Sequence, residues 1–168
     1  MQFKNYFLYF AFFLSLGFLV SCDDDSDEDA EPSKTEMLTT GKWKGDKILL
    51  NGINAASIPG IGANASSFQT LVLEFKNDNT YLATFTVEGQ TETTSGNWQF
   101  NSAQTTLTLD MFGELNVKNL TDQNLDVTTT LSTESIEFIA SLFDIDATLI
   151  KLITGGGAVN AEMRFVKQ

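Results

Sequence analysis

The sequence predicts an all-β domain, an antiparallel up-and-down β-barrel of about eight strands with a helical insertion before the last strand. Three observations carry this. From Phe68 onward apolar residues recur with period two, at Leu71, Leu73 and Phe75 and again at Tyr81, Ala83, Phe85 and Val87, with Glu74, Lys76, Thr84 and Thr86 between them. That is the alternation of half-buried strands. Turn signals separate the runs at short intervals, beginning with Asn77-Asp78-Asn79-Thr80. Purely local hairpin connections favour a barrel over a Greek-key sandwich, because closure removes both sheet edges without long crossovers.

The N-terminus is of another kind. Lys4 precedes an apolar run from Tyr6 to Phe18 that ends in Leu19-Val20-Ser21-Cys22. A positive start, an apolar stretch and small residues at a cleavage point make residues 1–21 a secretory signal peptide. Leu19, Ser21 and Cys22 resemble the lipobox of bacterial lipoproteins, in which the thiol is diacylated. The resemblance implies that Cys22 is the lipidated residue and the first of the mature chain, with the membrane a partner through its diacylglycerol and palmitate anchor. Cys22 is the only cysteine, and a thioether spares an exported protein a free thiol. Acyl chains contribute roughly 0.8 kcal/mol per buried CH2, so two or more anchor durably.

Residues 22–37 read as an acidic disordered tether. Eight acidic residues and one lysine lie between Asp23 and Glu36, a charge density that opposes collapse. Acid runs behind an acylated cysteine resemble the export tag of surface lipoproteins in Bacteroidetes-type bacteria. An Asp directly after the cysteine instead resembles the inner-membrane retention signal of enteric bacteria. An outer-membrane location is expected, with the surface leaflet slightly favoured over the periplasmic one. The net charge of -12 excludes nucleic acid as a partner, since backbone binding needs a basic surface.

The barrel domain is expected over 38–168. Lys42-Trp43-Lys44 opens a first strand with Trp43 inward. Residues 51–67 are a long loop whose Ile53, Ile58 and Ile61 should lie over an opening or an edge. After the first hairpin come Trp98 and Phe100, then Leu107, Leu109 and Met111, then Leu115 and Val117, then Leu125, Val127 and Thr129, each set sharing one face of a strand. At 132–154 the period becomes three to four, with Ile136, Ile139, Phe143, Ala147 and Ile150 in one row. This predicts one helix packed on the barrel, or two broken near Asp144, with Ile136-Glu137-Phe138 alternatively extending a strand. Gly155-Gly156-Gly157 is a flexible connector, and Val159, Ala161, Met163 and Phe165 make the last strand.

Gly41-x-Trp43, the ladder of hairpins and the late Arg164 resemble the lipocalin, or calycin, pattern. Together with Leu73–Tyr81, Gly96-Asn97-Trp98 and Arg164-Phe165-Val166-Lys167, they resemble the lipocalin-like domain of Bacteroidetes lipoproteins. The resemblance covers roughly 38–168 and its motifs are structural. It implies that Arg164 stacks on Trp43 beside Gly41 at the closed base of the barrel, a cation–π contact; an outward, solvated Arg164 is the alternative.

The chain has no histidine, which removes the commonest zinc sites and any His-based triad, and the one cysteine is taken by lipid. Asp122 and Asp126, or Asp144 and Asp146, lack the oxygen-rich loop that calcium needs. Glu74, Glu88, Glu92 and Asp110 all fall on the outward face, away from any shared site. No enzyme, cofactor or metal is expected. Two functions stay open: a small apolar or amphiphilic ligand held among Phe75, Tyr81, Phe85, Trp98 and Phe100, or a filled barrel that serves as a structural or interaction module for an envelope protein or glycan.

Overall fold

Among the described residues, nine strands form one antiparallel sheet that closes on itself. The structure, a computed structural model, describes residues 32–168 apart from Glu88, 133–135, 137–147, 149–154 and Gly156. The strands are β1 (Trp43–Leu50), β2 (Ile53–Asn54), β3 (Val72–Phe75), β4 (Thr80–Val87), β5 (Gln90–Phe100), β6 (Thr106–Leu109), β7 (Gly113–Leu120), β8 (Asn124–Leu131) and β9 (Val159–Lys167). β2 is a two-residue return on the end of β1, so eight strands make the wall. From β3 onward each pairs with the next, and β1 joins β9 from Trp43↔Lys167 to Leu50↔Ala161, with a bulge between Gly45 and Lys47. The seam leaves neither terminal strand as a free edge. This is the up-and-down barrel topology read from the sequence, with minor helical elements.

The alternation read from the sequence fills the interior. Leu73, Phe75, Tyr81, Ala83, Trp98, Leu107, Leu109, Leu115, Leu125 and Val127 are buried, as are Val159, Ala161, Met163 and Phe165. The turn at 76–80 is built by Asp78, which accepts from the Thr80 hydroxyl at 2.6 Å and its N–H at 3.0 Å. Those two bonds hold the Asp78 carboxyl below the usual carboxylate range.

The ordered domain begins earlier than the tether predicted over 22–37 allows. Helix α1 spans Lys34–Thr39. The Ser33 hydroxyl accepts from the Glu36 N–H at 3.2 Å, and the Glu36 carboxylate accepts from the Ser33 N–H at 2.8 Å. The corrected boundary has a local cause: Ser33-x-x-Glu36 is a capping box ahead of Met37-Leu38. Leu38 is wholly buried, and its carbonyl accepts the Trp43 indole N–H at 2.8 Å. α1 thus lies against the end of the barrel where β1 starts and β9 finishes, here called the floor.

The connection from β2 to β3 is a plug. It holds a 3-10 turn (Ala55–Ser57), the short helix α2 (Gly62–Ala65) and a second 3-10 turn (Ser66–Thr70). Ile58, Ile61, Ala65, Phe68 and Leu71 are buried, whereas Ile53 is 52% exposed. Because β3 has only four residues, the second turn packs against both β1 and β4. The Gly45 N–H donates to the Leu71 carbonyl at 2.8 Å, Gln69 Nε2 to the Asp46 carbonyl at 3.1 Å, and the Thr86 N–H to Thr70 Oγ1 at 2.9 Å. The helical insertion predicted over 132–154 lies largely outside the described residues. Of it, Ile136 is helical and buried, with its N–H on the Ser132 carbonyl at 2.9 Å, and Thr148 is helical and exposed. Among the described residues no helix is long and apolar enough to cross a membrane.

Candidate functional site

Four of the five candidate ligand-binding rings form one chain of contacts. Phe75 and Tyr81 are cross-strand partners with ring centroids 6.3 Å apart. Phe75 meets Trp98 edge-on at 5.8 Å, and Trp98 meets Phe100 in the same way at 5.8 Å. Phe85 stands four residues beyond Tyr81 on β4, about 13 Å away at the rise of a strand. Phe85 and Phe100 are half-buried against the core, while the other three rings are buried.

Tyr81 lies across Gly96, where an added Cβ would stand 2.8 Å from the ring. Burial pushes its phenol pKa up, so the hydroxyl stays protonated. Trp98 donates its indole N–H to the Lys76 carbonyl at 3.1 Å.

Inside the barrel, side chains that include Leu73, Phe75, Leu109, Leu125, Met163 and Phe165 leave a void of about 10 Å³. That admits one water at most, whereas pockets for small molecules hold several hundred cubic ångströms. Every residue around the void is apolar. Phe68 of the plug extends this core, its ring 5.2 Å from that of Phe165.

At the floor the cation over the indole is Lys167, not Arg164. Lys167 Nζ stands 5.2 Å from the Trp43 ring centroid. The register explains the exchange: Lys167 is the partner of Trp43, whereas Arg164 is the partner of Lys47. Arg164 is three residues away on β9 and so points to the other face. There its Nε donates to Glu162 at 2.6 Å, and Lys118 Nζ reaches Glu162 at 2.7 Å. Lys118 first, then Arg164, holds the Glu162 carboxyl below the usual range. Gly41 does stand at the floor, with φ +94 and the space for a Cβ taken by Lys167 Cε at 3.0 Å. Lys167 shares parity with Met163 and Phe165, a signal available in the sequence.

The outward carboxylates serve the fold. Glu74 pairs with Lys42 at 3.1 Å, and Asp110 accepts both the N–H and the side-chain amide of Asn97. Among the described residues no three Cys, Asp or Glu side chains come together as a metal site. Cys22 lies outside the described residues.

No family model and no curated protein matches this chain. Similar solved structures include an odorant-binding protein from bovine nasal mucosa, 18% identical over 84% of this chain and 77% of that one, with a TM-score of 0.44. A complex of bovine odorant-binding protein with undecanal gives the same identity, coverage and score. A further odorant-binding protein is 15% identical over 82% of this chain and 75% of that one, with a TM-score of 0.45. At this level they assign no family to the chain.

Proposed function

We propose that the chain is a non-catalytic carrier, anchored through Cys22 at the outer membrane, that takes one small apolar or amphiphilic ligand into its barrel in exchange for plug side chains. The observation behind it is the source of the core. Ile58, Ile61 and Phe68 are buried, yet they come from a connection of short turns and not from the wall. Such a segment opens at lower cost than paired strands do. Among the described residues around that void, about 10 Å³ is far less than a ligand needs, so one entering there would have to displace side chains.

The test is titration with dodecanoate, read by tryptophan fluorescence and by amide exchange. Saturable quenching accompanied by faster exchange over residues 55–71 is expected. Cys22→Ala should leave the membrane fraction. The same small void favours a second reading, in which the filled barrel is a scaffold for a protein or glycan partner. Absence of saturable binding with an unchanged plug would reject the carrier and retain the scaffold.

A further inference from the structure

The floor carries a depression of about 400 Å³ between α1 and the turns that follow β3 and β5. It takes no residue from the plug, and it meets the interior only through Trp98 and Phe100. Its lining contains no charged side chain, although the whole chain carries -12. Two rings stand at its inner side: Phe100, half-buried, and Trp98, only 4% exposed. Around them are the amides of Asn79, Gln99 and Gln104 and the hydroxyls of Thr35 and Ser102.

The frame of this depression is fixed by its own bonds. Asn101 Oδ1 accepts the N–H groups of Thr105 at 2.8 Å and Thr106 at 3.1 Å, which closes the β5–β6 turn. Lys34 Nζ donates to the Gln104 carbonyl at 2.9 Å, tying α1 to that turn. The Trp98 N–H donates to the Asn79 carbonyl at 2.8 Å, tying in the β3–β4 turn. Asn79 is held at φ +65 and Gln104 at φ +51, a backbone region that short polar residues and glycine tolerate best. Asn79 and Gln99 themselves are exposed, and none of these frame bonds uses either side-chain amide.

From this we infer a binding site for a neutral saccharide. Planar amides and hydroxyls that both donate and accept match a ligand dense in hydroxyls, while an exposed ring edge suits its C–H faces. The lining supplies no charged side chain that would favour an anionic or cationic ligand over a neutral one. The site is open and shallow, so affinity in the millimolar range is expected.

The inference does not rest on the carrier reading: Trp98 and Phe100 are common to both, but the amides and hydroxyls that would recognise the saccharide come from α1, the end of β5 and the turns that follow β3 and β5. The experiment is saturation-transfer NMR and tryptophan fluorescence on the full chain. The probes are neutral trisaccharides of glucose, galactose and N-acetylglucosamine, with a sialylated trisaccharide as the charged control. At least one neutral probe should bind saturably and the charged one more weakly. Asn79→Gly keeps the positive φ and removes an amide, and Gln99→Ala removes another from an exposed position. Each should weaken binding about five- to tenfold, the worth of one hydrogen bond, with urea unfolding unchanged. Failure of every neutral probe overturns the proposal. Binding that survives both substitutions, or that prefers the charged probe, overturns it as well.

Discussion

Gly45 is where the plug meets the wall, and replacing it with Ala makes that contact measurable. A Cβ at this position would lie 2.1 Å from the Phe68 carbonyl oxygen and 3.0 Å from two carbons of its ring. Non-bonded heavy atoms rest at about 3.5 Å, so one side must retreat by more than about 1 Å. β1 is held by β9 along its length and by β3 at its start, which leaves the plug to move. Overpacking alone costs roughly 1–3 kcal/mol, and full loss of a buried Phe roughly 3–5 kcal/mol. The expected destabilisation is therefore about 2–4 kcal/mol, read by urea unfolding. Amide exchange should show residues 66–71 losing protection while the β8–β9 pairing keeps its own. If the plug occupies the ligand's place, Gly45→Ala should also bind dodecanoate more tightly than the unaltered chain. A stability within about 0.5 kcal/mol of the parent, with the plug still protected, would refute the steric reasoning. A released plug without any gain in affinity would refute the carrier.

At the floor, Lys167→Met keeps the aliphatic stem and removes the ammonium from Trp43. It should cost about 0.5–1 kcal/mol and shift the indole emission, whereas Arg164→Ala should cost a few tenths because its partner Glu162 lies on the outer face; the reverse order would put the cation back on Arg164. The Glu36 carboxyl is held below its ordinary value by the Ser33 N–H first and its hydroxyl second. Its folded pKa is thus depressed, so its stabilisation of α1 is present above the unfolded value and lost as pH falls through the folded one. Amide protection over 36–40 should therefore decline between about pH 5 and 3, and in Glu36→Gln that decline should be absent; an identical pH profile in both would contradict the capping role.

The barrel was legible because its signals are local. Period-two apolar runs fix which face each strand turns inward, and every inward residue from Leu71 to Phe75 and from Val159 to Phe165 lies where parity puts it. What escaped depends on pairing between distant residues. Arg164 and Lys167 are both late cations; parity with Met163 and Phe165 turns Lys167 inward, and the β1–β9 register then sets it opposite Trp43. The role of Phe68 rests on the four-residue length of β3 and the bare Cα of Gly45, neither of which is marked by periodicity. α1 was missed for a different reason. Its capping box lies inside a run of acids whose overall composition outweighs four informative residues. The depression proposed as a saccharide site draws six of its eight residues from the end of β5 and the turn after it, 98–104, but Thr35 and Asn79 join them only through the fold.

The placement of α1 also has a mechanical side. A load on the chain ahead of Pro32 reaches this six-residue helix before it reaches any strand. α1 is fastened through the Leu38 carbonyl to the indole and through Lys34 to the Gln104 carbonyl, contacts that break in succession. β1 is flanked by β9 along its length and must be sheared as a unit. Drawing a helix of this length out to extended chain adds roughly 12 Å. Under drag the floor helix would unwind and lengthen the chain before any strand of the closed wall is sheared.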